Sequence, residues 1–304
     1  VRRFYQTVYR AAENVPAGWT GDLATCAPGT LSAAYLDATL SRVNWFRAMA
    51  GVPSDITFAA AKNALAQAAG VLQATRPGGD FDHSPPNTWR CWTQAGFDGS
   101  RLSNLGGTGP GSIDGWMFDP GANNVATGHR RWVLDPAQVT MGHGGVPGGA
   151  GALHVLEAGR TPRPVARDEF VAWPTRGFVP YGTVYSRWSF SLPPAANMVN
   201  ATVTMRRGGV DVPLTVYRDG SRDMQVLSTG STARKVAEQA TSSGKAEARS
   251  DLVMQPSGSA ARADAADLYG EIAEVRAENE RLRRLVLDLE AENLQRRQKR
   301  SRPD

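Results

Sequence analysis

Residues 116–132 read WMFDPGANNVATGHRRW, a segment in which one acid, Asp119, and one histidine, His129, lie among glycine, asparagine and aromatic residues. The chain has four histidines, His83, His129, His143 and His154. Neutral imidazole is a common metal ligand and a common general base near neutral pH. His143 and His154 fall in a predicted hairpin, where we expect structural roles. His83 and His129 are therefore the candidates for chemistry, although their separation in sequence matches no local ligand spacing.

The composition indicates a soluble protein of one or two domains. The chain has 304 residues, of which 21% are charged and 41% hydrophobic, ordinary values for globular proteins. No apolar run approaches the roughly 20 residues that cross a bilayer, so we expect no transmembrane segment. The net charge of +5 comes from scattered arginines, which argues against a nucleic-acid partner. The opening stretch lacks the apolar segment of a signal peptide, so we expect a mature or truncated chain.

The segments that precede residues 116–132 are predicted to be helical and then irregular. Apolar residues recur at helical spacing over 31–50, and Gly51 with Pro53 provides a stop signal. An alanine-rich stretch over 59–73 predicts a second helix. Residues 75–119 are dense in glycine, proline, asparagine and serine, which is typical of loops and short helices. A long irregular stretch of this kind is often functional.

The segments that follow are predicted to be β structure and then a coiled coil. The glycine-rich GHGGVPGGAG at 142–151 predicts a hairpin, and alternation over 201–216 around Gly208 and Gly209 predicts another. We assign 165–218 to a small antiparallel β domain and 219–265 to a flexible linker.

Heptads over 266–298 predict a coiled-coil helix. Asn279 occupies an a position of this repeat, which favours a parallel homodimer in a fixed register. The alternative is a single amphipathic helix packed on the protein's own body. Basic residues follow the heptads rather than precede them, which excludes a basic zipper that binds DNA.

Several short motifs occur together in an order that resembles the CAP superfamily of cysteine-rich secretory, antigen 5 and pathogenesis-related proteins. The motifs are Asn44-Trp45-Phe46-Arg47, His83-Ser84, Ser103-Asn104-Leu105, Trp116-Met117-Phe118-Asp119 and Gly128-His129-Arg130-Arg131-Trp132. The version here looks most like the bacterial SCP-like extracellular branch. The resemblance covers about residues 31–157, preceded by an N-terminal arm over 1–30.

The resemblance implies an α+β fold, a CAP-type α-β-α sandwich, with a cleft that binds a divalent cation in some members. His83 and His129 occupy the histidine positions, and Asp119 stands where a glutamate normally follows tryptophan. The second acid of the family is replaced, because its Gly-Glu-Asn is here Leu102-Ser103-Asn104. Two imidazoles and one carboxylate could still hold Zn²⁺ or another divalent cation with water in the fourth place.

Three functions stay open on the sequence. The first is a secreted or envelope-exposed protein that binds an unidentified ligand, such as a cell-envelope component, in the cleft of His83, Asp119, His129, Ser103 and Asn104. The second is a hydrolase acting on envelope polymer or peptide, for which Ser103, His83 and Asp119 supply the residue types of a triad. The third is a scaffold whose site has degenerated, with the two histidines bracing loops. Whether the protein is an enzyme is left open.

Composition alone leaves Cys26 and Cys91 as two thiols or one disulfide. Because the resemblance points outside the cytosol, where bridges persist, we expect Cys26 and Cys91 to be disulfide bonded. The bridge would tie the N-terminal arm to the loop that follows His83.

Overall fold

The computed structural model describes residues 1–156, 159–193, 200–207, 210–219, 223–228, 247–250 and 252–255. The chain divides into two compact units, residues 1–253 and residues 254–304, and the description below concerns the first. The predicted coiled coil at 266–298, with Asn279, lies outside the described residues, so the homodimer stays a prediction. Among the helices that the structure describes, none combines the length and apolar character that a bilayer crossing requires.

Six α-helices are described. They are α1 Arg2–Phe4, α2 Ala33–Ala50, α3 Ala60–Ala74, α4 Gln94–Arg101, α5 Pro110–Phe118 and α6 Gly128–Val133. The helices predicted over 31–50 and 59–73 are therefore confirmed as α2 and α3. Helix α2 begins where the Ser32 side chain accepts a hydrogen bond from the Tyr35 amide, and it ends at Gly51 in a left-handed conformation with φ 74°.

The central sheet has the strand order β1-β3-β4-β2, formed by β1 Thr57–Phe58, β3 Thr140–Gly145, β4 Gly151–His154 and β2 Ser103–Gly106. β3 and β4 pair antiparallel around the glycine-rich turn, which confirms the predicted hairpin. β2 pairs antiparallel with β4, and β1 pairs parallel with β3. The mixed α+β character of the fold is confirmed.

Helices cover both faces of this sheet. On one face α3 lies against glycines: a Cβ on Gly142 would come within 2.4 Å of Lys62, and one on Gly144 within 2.3 Å of Gln67. Only glycine allows this close approach of backbone to backbone. On the other face, side chains of the sheet, α2 and α5 share one apolar core, whose fully buried members include Val43, Trp45, Phe46, Ile113, Met141 and Leu153.

Two polar side chains of α2 connect this helix to the rest of the domain. The Asn44 side chain exchanges two hydrogen bonds with the backbone of Ile56, at 2.9 and 3.1 Å. The Arg47 guanidinium donates to the carbonyls of Pro53, Val133 and Asp135. Burial lowers the Arg47 pKa to about 10, so the group remains charged at neutral pH. α2 thereby holds the end of α6, the helix that carries His129.

The chain continues into a second set of strands, β5 Val171–Trp173, β6 Gly177–Pro180, β7 Arg187–Ser191, β8 Thr202–Arg207, β9 Val210–Asp211, β10 Leu214–Asp219, β11 Asp223–Ser228, β12 Glu247–Ser250 and β13 Leu252–Gln255. One antiparallel sheet has the order β10-β11-β7-β5. β8 and β9 pair antiparallel on either side of Gly208 and Gly209, as the alternation predicts. Three of these strands, β11, β12 and β13, lie inside the range interpreted as a linker, 219–265.

The N-terminal arm is joined to the domain at two places. Residues 2–12 form helical turns, and Tyr9 packs against Trp45 and Phe46 with ring centroids 4.7 and 5.9 Å apart. Cys26 and Cys91 form a disulfide bond, which confirms that prediction. The arm is therefore held on both the core and the loop after His83.

Candidate functional site

One cavity of about 310 Å³ contains both candidate histidines. It is lined by His83, Arg101, Ser103, Asn104, Asn123, Asn124, Ala126, Gly128, His129, Trp132, Val155 and Leu156. The wall thus combines the loop before α4, the end of α4, the strand β2, the loop between α5 and α6, α6 itself, and the segment after β4. The fold brings His83 and His129 to a common cavity despite their distance in sequence.

His83 is held by a hydrogen-bond chain that begins on α3. The Gln73 side chain is fully buried and exchanges two hydrogen bonds with the backbone of Asp82, at 2.6 and 3.2 Å. The next residue, His83, donates from Nδ1 to the carbonyl of Ser100 at 2.8 Å. Because a carbonyl only accepts, this bond places the proton on Nδ1. In the neutral ring the lone pair is then on Nε2.

His129 is held in the same way by a carboxylate. Its Nδ1 lies 2.8 Å from Oδ1 of Asp119, which is 1% exposed. Asp119 ends α5 in a left-handed conformation with φ 52°, and this turn directs the chain back toward α6. The Asn104 side chain donates to the carbonyl of His129 at 3.1 Å. The neutral ring again carries its lone pair on Nε2, oriented by a buried carboxylate.

The donor set fits a divalent cation only in part. A metal-binding histidine usually donates a hydrogen bond from Nδ1 to a carboxylate or a carbonyl and binds the metal through Nε2. Asp119 does not line the cavity, because its carboxylate lies behind His129 and bonds to it. In the part of the chain that the structure describes, no group of three His, Cys, Asp or Glu side chains could hold a metal ion. The side chains in the cavity that could coordinate a cation through nitrogen are the imidazoles of His83 and His129.

Ser103 and Asn104 line the same cavity but differ in their bonding. Asn104 is engaged by the carbonyl of His129, whereas the buried Ser103 Oγ has no hydrogen-bond partner among the described residues. Ser103 is 3% exposed and lines the cavity, so it is part of the buried wall. A hydrolase triad of Ser103, His83 and Asp119 is not assembled, because Asp119 bonds to His129 and Ser103 bonds to neither ring.

The other two histidines have structural positions. His143 is 1% exposed, and its Nε2 accepts a hydrogen bond from the Gly109 amide at 2.8 Å. Burial lowers the His143 pKa to about 4, so the ring is neutral and acts as an acceptor at the start of α5. Burial, with a smaller contribution from the Lys62 charge, also lowers the pKa of His154. Neither residue lines the cavity.

Two residues that belong to none of the sequence motifs support the site. Gln73 is one, and its only signal is a glutamine on the buried side of an alanine-rich helix. Arg187 on β7 is the other. Its guanidinium donates to the carbonyls of Asp119, Gly121 and Asn124. Arg187 thereby fixes the loop that carries the partner of His129, and no local sequence pattern connects positions so far apart.

Comparison with known proteins gives one match. Residues 40–156 match the family model described as CAP, cysteine-rich secretory protein family. The match includes both histidines, Asp119 and the whole central sheet. No curated protein and no solved structure matches this chain.

Proposed function

Because residues 40–156 belong to the cysteine-rich secretory protein (CAP) family, we propose that the chain is an extracellular ligand-binding protein that acts through the His83/His129 cavity. The observation that carries the proposal is that both imidazole rings are fixed by the same kind of hydrogen bond. Each uses Nδ1 on a buried acceptor, so each has Nε2 available for a ligand. Two rings fixed in this way can accept hydrogen bonds from a polar ligand or coordinate one cation.

The disulfide supports an extracellular setting. A bridge between Cys26 and Cys91 persists in oxidising surroundings and is rare in the cytosol. The family assignment is in keeping with such a location. Membership of the bacterial SCP-like branch and binding of a cell-envelope component are further parts of this proposal.

A divalent cation would bind in this cavity, and the Nε2 atoms of His83 and His129 would coordinate it. Zn²⁺ would supply Lewis acidity toward a bound polar group. Asp119 fixes the orientation of the His129 ring, while Asn104 fixes the backbone of the same residue. With two protein ligands instead of three, the remaining positions go to water or to the ligand, and we expect weaker affinity than that of a complete site.

The test is titration of the full chain with Zn²⁺ by isothermal calorimetry. We expect one weak site in the wild type, its loss in His129→Ala, and stronger binding in Ser103→Glu, which adds a carboxylate to the cavity wall. His154→Gln is the matched histidine control, since His154 does not line the cavity. Acidification should weaken binding, because a coordinating imidazole must be neutral. Three indistinguishable titrations for wild type, His129→Ala and Ser103→Glu would contradict the metal role.

A hydrolase is the second candidate, favoured by one observation. The His129–Asp119 pair has the geometry of a general base and its orienting acid, and the buried Ser103 hydroxyl lies in the same wall without a partner. If the cleft is catalytic, turnover of envelope polymers or peptides should be abolished in His129→Ala and retained in His154→Gln. A scaffold with a degenerate site predicts neither turnover nor Zn²⁺ binding.

A further inference from the structure

A second cavity of about 310 Å³ lies on the other side of α6 and is separate in its chemistry from the histidine site. Its wall is formed by α6 and the turn that follows it, by Arg163, and by the strands β5 and β7. Gly128 and Trp132 line both cavities, so the two are neighbours across one turn of helix. β5 and β7 lie beyond residues 40–156, so this cavity combines the CAP domain with the sheet that follows it.

The charge of this wall is predominantly positive. Arg130, Arg131 and Arg163 line it, and among the described residues Asp135 is the only acidic side chain that does so. Asp135 accepts one hydrogen bond from Arg163 at 2.7 Å and another from the Ala137 amide, so its charge is already compensated. An anion that entered the cavity would therefore meet this compensated pair and the positive charge of the buried Arg130.

Arg130 contributes a buried charge that is not paired with a carboxylate of any described residue. It is 0% exposed, and its guanidinium donates to the carbonyls of Met117 and Phe118 and to Ser189 Oγ. Within the described residues no carboxylate forms an ion pair with it, although the charge of Asp119 is close enough to raise its pKa. Burial is the larger effect and lowers that pKa to about 10. A buried cation of this kind favours a nearby anion.

β7 provides hydroxyl donors next to that charge. Ser189 and Ser191 are two residues apart on the strand and share one face of it, the face from which Ser189 meets Arg130. Since the Ser189 oxygen accepts from the Arg130 guanidinium at 3.0 Å, its own proton can be donated to another acceptor. Two hydroxyls and a guanidinium cluster are the donors that carboxylate and phosphate oxygens prefer.

From this arrangement we propose that the second cavity is a binding site for an oxyanion, the carboxylate or phosphate group of a ligand. Arg131 and Arg163 make the direct charged contacts, Ser191 and Ser189 donate hydroxyl hydrogen bonds, and Arg130 supplies the buried charge. The site does not depend on the metal or on the two histidines.

The experiment is a titration of the ¹⁵N-labelled full chain at constant ionic strength, followed by NMR. Acetate is the carboxylate probe, inorganic phosphate is the phosphate probe, and chloride is the control for ionic strength. We expect shifts that saturate on β7, whose Ser189 and Ser191 line only the second cavity, together with shifts at the Trp132 indole, which lines both. Tighter binding of acetate would assign the site to carboxylates, and tighter binding of phosphate to phosphate groups.

Single substitutions test whether the proposed residues bind the anion. Arg163→Gln and Arg131→Gln should each raise the dissociation constant roughly tenfold, because each removes a charged hydrogen-bond donor. Ser191→Ala is the milder variant and should weaken binding several-fold without a change of charge. Arg160→Gln is the matched control, since Arg160 is paired with Asp55 away from the cavity, and it should bind like the wild type. Thermal unfolding of each variant shows that it is folded.

The same titration in His129→Ala separates this proposal from the proposed function. Anion binding should persist there even if Zn²⁺ binding is lost or was never present. The proposal is overturned if neither probe gives saturable shifts at the cavity. It is also overturned if Arg163→Gln, Arg131→Gln and Ser191→Ala bind as tightly as the wild type, or if Arg160→Gln weakens binding equally.

Discussion

Acidification should destabilise this protein through His143, and the size of the effect follows from its burial. The His143 pKa is lowered from 6.5 to about 4 in the folded chain, so between these values the unfolded state binds more protons than the folded state. Stability is therefore complete near neutral pH and is lost as the pH falls from about 6.5 toward 4. At 1.36 kcal/mol for each unit, the loss amounts to roughly 2–3 kcal/mol at about pH 4.5.

The assay is urea unfolding followed by tryptophan fluorescence, at neutral pH and at about pH 4.5. The comparison variant is His143→Gln, whose side-chain oxygen can still accept the hydrogen bond from Gly109 but does not titrate. Carboxylates and His154 contribute to the pH dependence of both proteins, so the difference between the two isolates His143. We expect the free energy of unfolding to fall by about 2–3 kcal/mol more in the wild type. Equal losses in the two proteins would refute the reasoning.

Two further predictions concern the supports of the site. Arg187→Met should lower the free energy of unfolding by about 3 kcal/mol, since it removes charged hydrogen bonds to three loop carbonyls, and it should weaken Zn²⁺ binding in calorimetry. Arg176→Met, at an exposed position, is the control, and equal effects of both variants would contradict the role of Arg187. Replacing Cys26 and Cys91 together by serine should cost about 4 kcal/mol, because the bridge closes a loop with a sequence separation of 65. An unchanged urea midpoint would be inconsistent with that cost.

Local patterns predicted the elements that position the site. The apolar spacing before Gly51 predicted α2, and the glycine-rich turn predicted the pairing of β3 with β4, because helical and strand periods and turn residues act over a few positions. The order of the motifs carried the family resemblance, and the resemblance predicted that His83 and His129 share one cleft. The extracellular setting that it implies predicted the disulfide between Cys26 and Cys91. None of these inferences required knowledge of which distant side chains meet.

Only the tertiary structure decided how the site is supported. Asp119, expected among the ligands, is buried behind His129 and orients it, while Gln73 fixes the backbone beside His83. Arg187 reaches the Asp119 loop from a strand outside the family match, and the second cavity exists because that strand packs against α6. These contacts join residues far apart in the chain, and their selection depends on which faces of helices and strands pack together. A periodic sequence pattern shows that a face is buried, but it does not specify the partner of each polar group on that face.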